Sequence, residues 1–181
     1  MNIPDVDVVI QAVGQDTSSA FLSRLLQALE IDEADVSRNS LKLTGRRIWT
    51  DEEGTLQLNF EDIGMLADVP YHDVDDGPWV LTTAVFWASG KNKHAYSGPL
   101  PRGLDFSMTR HCVRERFAVL NAGNPFVAGI SGNVDIWGIG GLEFKANFSG
   151  PGDSLRCVSV GLPVDRNQQQ LQALRGPHPQ S

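Results

Sequence analysis

Only two cysteines, Cys112 and Cys157, occur in the 181 residues of this chain. That is too few for a disulfide framework, and they lack the pair spacing of zinc ligands; both are expected to be reduced and buried. Long apolar runs are missing as well. No uninterrupted stretch approaches the ~20 residues that span a bilayer, and the opening MNIPDVDVVIQAVGQD lacks the basic and apolar regions of a secretory signal. The expectation is a cytoplasmic protein with no membrane contact, in which the sequon at Asn147 carries no glycan.

Signatures of chemistry are equally scarce. GIGG, residues 138–141, is followed by strand-like sequence, so it reads as a hairpin turn and not as a dinucleotide loop. His72 lies among Asp73, Asp75 and Asp76, but these do not keep the ligand register of a calcium loop; an exposed acidic loop is the preferred reading. His111 and Cys112 are adjacent, and helix neighbours point about 100° apart, which denies them the hydrogen bond of an activated thiol. Cys112 therefore reads as core packing. No catalytic residue, metal or cofactor is expected, and the chain is not read as an enzyme.

What is present is an ordinary soluble composition with an uneven charge. A hydrophobic share of 41% against 20% charged residues favours an ordered fold over disorder. Residues 1–90 carry 16 acidic and 5 basic side chains, a balance of −11, whereas residues 91–181 carry 6 and 10, a balance of +4. An acidic surface repels nucleic acid and steers a basic partner.

The chain then reads as one half-domain written twice. IWTDEEGTLQLNF, from Ile48 to Phe60, and IWGIGGLEFKANF, from Ile136 to Phe148, share both ends at an offset of 88 residues. In each, apolar side chains alternate with polar ones around a turn containing glycine, the pattern of a hairpin with one buried face. Upstream, Leu22, Leu25, Leu26 and Leu29 recur at helical spacing behind Asp16 or Thr17 as candidate N-cap. The same offset carries Leu25 onto Val113 and Leu29 onto Phe117, in a second helix with Thr109 and Leu120 on its stripe and Asp105 or Ser107 as cap. The apolar run from Trp79 to Ala88 predicts a buried central strand, and Ser154 to Leu162 predicts its counterpart. Asp5 to Val13 suits helix or strand equally. Trp49 and Trp137 fall at matching positions, which implies a shared structural role, and strand parity leaves open which face they occupy.

YSGPLPRGLDFSMTRHCVRERF, followed by GNPF and DIW, resembles small bacterial immunity-type proteins encoded beside secreted toxins or bacteriocins. The residues that carry the resemblance are Gly98, Leu100, Pro101, Gly103, Leu104, Phe106, Thr109, Arg110, Val113, Gly123 and Pro125. It covers about residues 75–162. The tandem layout is similar to that of the β-lactamase inhibitor protein and of small outer-membrane assembly lipoproteins. The resemblance implies an immunity or inhibitor protein that blocks a secreted toxin by binding and occlusion, and the acidic charge suits a toxin with a basic active-site cleft.

The expected architecture is α+β: two tandem helix-plus-antiparallel-hairpin repeats forming one mainly antiparallel sheet with helices on one face. The first repeat spans 1–90, a linker 91–103, the second repeat 104–164, and a polar, flexible tail 165–181. The expected contact residues are Asp51, Glu52 and Glu53 in the first hairpin turn, Asp73, Asp75 and Asp76 in the acidic loop, and Gln57, Asn59, Lys145 and Asn147 on the polar sheet face. The rivals are a structural or assembly factor that self-associates through edge strands and a hydrolase with an unrecognised site.

Overall fold

The structure, a computed structural model, describes residues 3–32, 36, 44–67, 69–149 and 153–164; the tail at 165–181 lies outside them. The chain opens with α1 (Val6–Ala12), which resolves the ambiguity of that segment in favour of helix. Asp5 caps it by accepting from the Asp7 N–H at 2.9 Å. Gly14, at φ +82°, then turns the chain so that its own N–H donates to Leu81 O at 2.8 Å, a backbone conformation that glycine adopts without a Cβ penalty. α2 (Ala20–Ala28) follows, burying Leu22, Leu25 and Leu26.

The caps differ from the sequence expectation. Asp16 and Asp105 each accept from the N–H and Oγ of the serine two residues on, Ser18 and Ser107, at 2.5–2.8 Å. These are turns that precede the helices. The helix N-caps are Ser19 for α2 and Thr109 for α4 (Arg110–Val119). An Asp two residues before a Ser competes for the Ser N–H locally, so the later hydroxyl is left to satisfy the helix end.

Seven strands form one antiparallel sheet: β1 (Arg46–Thr50), β2 (Leu56–Asp62), β3 (Trp79–Trp87), β4 (Phe126–Ala128), β5 (Val134–Ile139), β6 (Leu142–Ser149) and β7 (Ser154–Gly161), in the order β1-β2-β3-β7-β6-β5-β4. One turn of helix, α3 (Ile63–Leu66), follows β2. The halves join where β3 pairs with β7, Val85 opposite Ser159. The helices and one face of the sheet share a single core that includes Leu25, Leu58, Phe86, Phe117, Phe144 and Val160. The short edge strand β4 has no counterpart among the described residues of the first half, and Pro125 just before it separates it from α4.

The twin stretches are the same hairpin, offset by a slip. Both second strands carry a β-bulge at the closing Asn-Phe, Asn59/Phe60 and Asn147/Phe148. The turns differ. β1 and β2 are joined by residues 52–55, closed by the Asp51 N–H on Leu56 O, whereas β5 and β6 are joined by Gly140 and Gly141 alone. Both glycines have positive φ, +60° and +82°, as a tight two-residue hairpin requires. Trp49 therefore faces Leu58, while Trp137 faces Phe144, a pair two residues closer along the chain. A slip of two preserves the side-chain face. Both tryptophans point to the helix-covered side: Trp137 is 2% exposed and stacks on Phe117 with ring centroids 4.0 Å apart, and Trp49, on the edge strand, is half-buried against the core.

Cys112 corrects the expectation of a buried thiol. Val113 and Phe117 form the buried stripe of α4, and Cys112, one position off it, is exposed. Its Sγ accepts from Thr109 Oγ1 at 3.3 Å. Leu120 is also exposed, and Cys157 is buried.

Candidate functional site

The helix-free face of the sheet collects the four residues expected on it. Gln57 lies opposite Val85, Val85 opposite Ser159, and Ser159 opposite Lys145, so one row crosses the joint between halves. Asn59 and Asn147 lie on the same face in neighbouring rows, and all four are half-buried. The Gln57 amide donates to Asn59 Oδ1 at 2.7 Å, and Lys145 Nζ lies 3.2 Å from Glu143 Oε2. Three strand spacings, roughly 14 Å, separate the β2 and β6 pairs. Trp87 and Cys157 stand between them, paired across β3 and β7. The face is thus polar on both flanks and apolar along the joint.

The acidic loop between α3 and β3 is anchored from beneath. His72 Nε2 and Asp62 Oδ1 are joined by a short hydrogen bond, and Asp62 also accepts from the N–H groups of Gly64 and Gly77, each at 2.8 Å. Burial raises the Asp62 pKa, but the two N–H donors and the imidazole outweigh it and hold the carboxyl below its ordinary value. Asp75 is spent in the same way: it accepts from the Gly45 N–H at 3.0 Å and lies 3.7 Å from Arg47 Nη1. The Arg47 guanidinium stacks on Trp79, 4.1 Å from the ring centroid. Asp73 and Asp76 are left exposed, beside a fully exposed Tyr71 and an exposed Val74. Of the three loop aspartates, Asp75 belongs to the scaffold.

The first hairpin turn divides similarly. Glu52 and Glu53 are exposed. Asp51 is 4% exposed, which corrects its expected place on the exposed acidic surface. Both its carboxylate oxygens are held within the turn, one by the Thr55 N–H and one by Thr55 Oγ1, each at 2.6 Å. Its carboxylate is thus part of the turn's framework and not of the exposed acidic surface.

Sequence reasoning missed the ion cluster of the second half. Asp135, fully buried on the core face of β5, accepts from Arg110 Nε and Nη2 at 3.0 and 2.5 Å and from Arg114 Nε and Nη2 at 2.7 and 3.0 Å. Arg110 also donates to Gly132 O at 2.7 Å. Burial pushes the Asp135 pKa up, yet the two guanidiniums hold it below the ordinary value. The available signal was Arg110 and Arg114 four apart on one helix, together with an acid interrupting an apolar strand.

Among the described residues no three His, Cys, Asp or Glu side chains converge in a way that could hold a metal, and no helix is long and apolar enough to cross a membrane. Comparison with protein-family models, with curated proteins and with solved structures finds no match.

Proposed function

We propose that this chain is an immunity or inhibitor protein that neutralises a secreted bacterial toxin by binding and occluding it, with no chemistry of its own. The anchored acidic loop is the observation that carries this reading. Asp62, His72 and Asp75 hold the loop from inside, so Asp73, Asp76, Tyr71 and Val74 are presented without an ordering cost at encounter. An aromatic flanked by carboxylates suits a basic cleft, where the charges speed association and the ring supplies burial. The exposed Glu52 and Glu53 extend the acidic surface. The helix-free face, with Gln57, Asn59, Lys145 and Asn147 around Trp87, is the second contact area in this reading.

The reading requires a secreted effector encoded beside this gene, and calorimetric titration with that effector tests it. The expected result is binding that weakens steeply with salt and loses about 100-fold or more when Asp73 and Asp76 are both changed to Lys. Unchanged affinity in the doubly reversed protein removes the acidic loop from the interface.

A second reading is self-association. Val119, Val127 and Ile130 are exposed at the β4 end of the sheet, where an edge strand offers backbone pairing. A sedimentation coefficient that rises with concentration, and ceases to do so in Val127→Lys, is the result that favours it.

A further inference from the structure

Buried acids in this fold have basic side chains beside them, with one exception. Four are buried among the described residues: Asp51, Asp62, Asp135 and Glu143. Asp62 has His72, Asp135 has Arg110 and Arg114, and Glu143 has Lys145. Among the described residues, Asp51 has only the two bonds from Thr55. Lys91 and Lys93, on the adjoining loop, are exposed and make no ion pair with it. A buried carboxylate with no compensating cation is costly, and each oxygen retains an acceptor site after one hydrogen bond.

Asp51 also lines a cavity of about 620 Å³, walled by the first hairpin turn, residues 92–97 and Ile3. The loop presses closely onto the turn: the Lys91 N–H donates to Glu53 O at 2.7 Å, and a Cβ at Gly90 would lie 2.2 Å from that same oxygen, so only glycine fits. Tyr96, 7% exposed, is part of the wall, and its hydroxyl has no hydrogen-bond partner among the described residues. Burial, with the Asp51 charge next, pushes the phenol pKa up to about 12 and keeps it neutral. Glu53, held by Asn92 at 2.7 Å, is the second acid of the wall. Ile3, Ala95 and the Tyr96 ring supply apolar surface. At the second hairpin no atom of the described residues lies within 4 Å of where a Cβ on Gly140 or Gly141 would stand.

The geometry points to this cavity as a binding site for an organic cation, an ammonium or guanidinium group on an apolar stem. The charged head would sit against Asp51 and Glu53 with the Tyr96 hydroxyl as an added partner, and the stem would lie on Ile3, Ala95 and the ring. Two acids in the wall exclude an anion, and a neutral ligand would leave Asp51 uncompensated. The site stands whether or not the chain is an inhibitor, since it uses none of the loop residues 71–76.

Titration of the full chain with n-butylguanidinium, followed through the amide resonances of Thr55 and Ser97, tests the site. n-Butylurea serves as the neutral isostere. The expected result is saturable shifts with the guanidinium and at least about tenfold weaker binding of the urea, as loss of a charge-assisted hydrogen bond implies. Asp51→Asn, whose Oδ1 can still accept from the Thr55 N–H while its Nδ2 donates to Thr55 Oγ1, should weaken the guanidinium by about tenfold, and Tyr96→Phe by a few-fold. Equal binding of urea and guanidinium, or no saturable shift in the wild-type protein, overturns the proposal without recourse to any variant. A backbone-capped arginine distinguishes the source. If it binds as well as n-butylguanidinium, the cation is a protein side chain; if it is rejected while n-butylguanidinium binds, the cation is a free small molecule.

Discussion

Arg47 and Asp135 stand at the same place in the two halves, 88 residues apart, each two positions before the tryptophan of its Ile-Trp pair, each buried, and opposite in charge. In the first half the cation is on the strand and its counter-ion, Asp75, comes from a loop. In the second half the anion is on the strand and its counter-ions, Arg110 and Arg114, come from a helix. The fold therefore keeps a charge at this position and changes what the charge holds: β1 fastens the acidic loop, and β5 fastens α4. The half that fastens a loop is the half that exposes Asp73 and Asp76.

The strongest way to break the comparison is to remove the better-satisfied charge. Asp135→Ala should destabilise the protein by about 3 kcal/mol in urea unfolding, because four hydrogen bonds are lost and two guanidiniums must be rehydrated. Arg47→Met, which keeps the stem on Trp79 and leaves only a partly exposed Asp75, should cost about 1 kcal/mol. Equal costs would mean that the two halves use the position alike.

Acid sharpens the same contrast. Asp62 and Asp135 both have pKa values lowered in the folded state. Their stabilisation is complete above the unfolded carboxyl value, about 3.9, and is lost as pH falls through the lower folded values. Stability should hold at about pH 6 and drop below about pH 4, by about 1.4 kcal/mol for each tenfold difference in proton affinity between the folded and unfolded carboxyl. Asp135→Asn should flatten that acid limb, which chemical unfolding at a series of pH values will show.

The smallest expected effect is at the surface. Asp73→Lys with Asp76→Lys should leave stability within about 0.5 kcal/mol of wild type by thermal unfolding. A larger change would place those carboxylates in the scaffold with Asp75.

The repeats, the hairpins and the helix stripes were legible because periodicity is a local property. Leu56, Leu58 and Phe60 alternate visibly, as do Phe144, Ala146 and Phe148, and each set is buried. The two-residue slip between the hairpins was hidden by identical spacing, since a longer turn in one copy is offset by shorter strands. Of the candidate contact residues, Glu52, Glu53, Asp73 and Asp76 are exposed, and Gln57, Asn59, Lys145 and Asn147 share one face. Asp51 and Asp75 read as surface acids, yet one turns back on Thr55 and the other on Gly45 and Arg47. Composition cannot separate a carboxylate that faces solvent from one that caps a backbone N–H thirty residues away. Cys112 failed for a simpler reason: a thiol one position off a two-residue stripe is outside, whatever the usual burial of its type.

The most direct test of the inhibitor reading is survival of cells that produce a secreted effector found encoded beside this gene, as that reading requires, with the wild-type chain or with Asp73→Lys and Asp76→Lys co-expressed at equal soluble level. Full protection by the wild type and loss of about 100-fold or more in viable counts with the reversed loop is the expected result. No protection by the wild type, or equal protection by both, contradicts it.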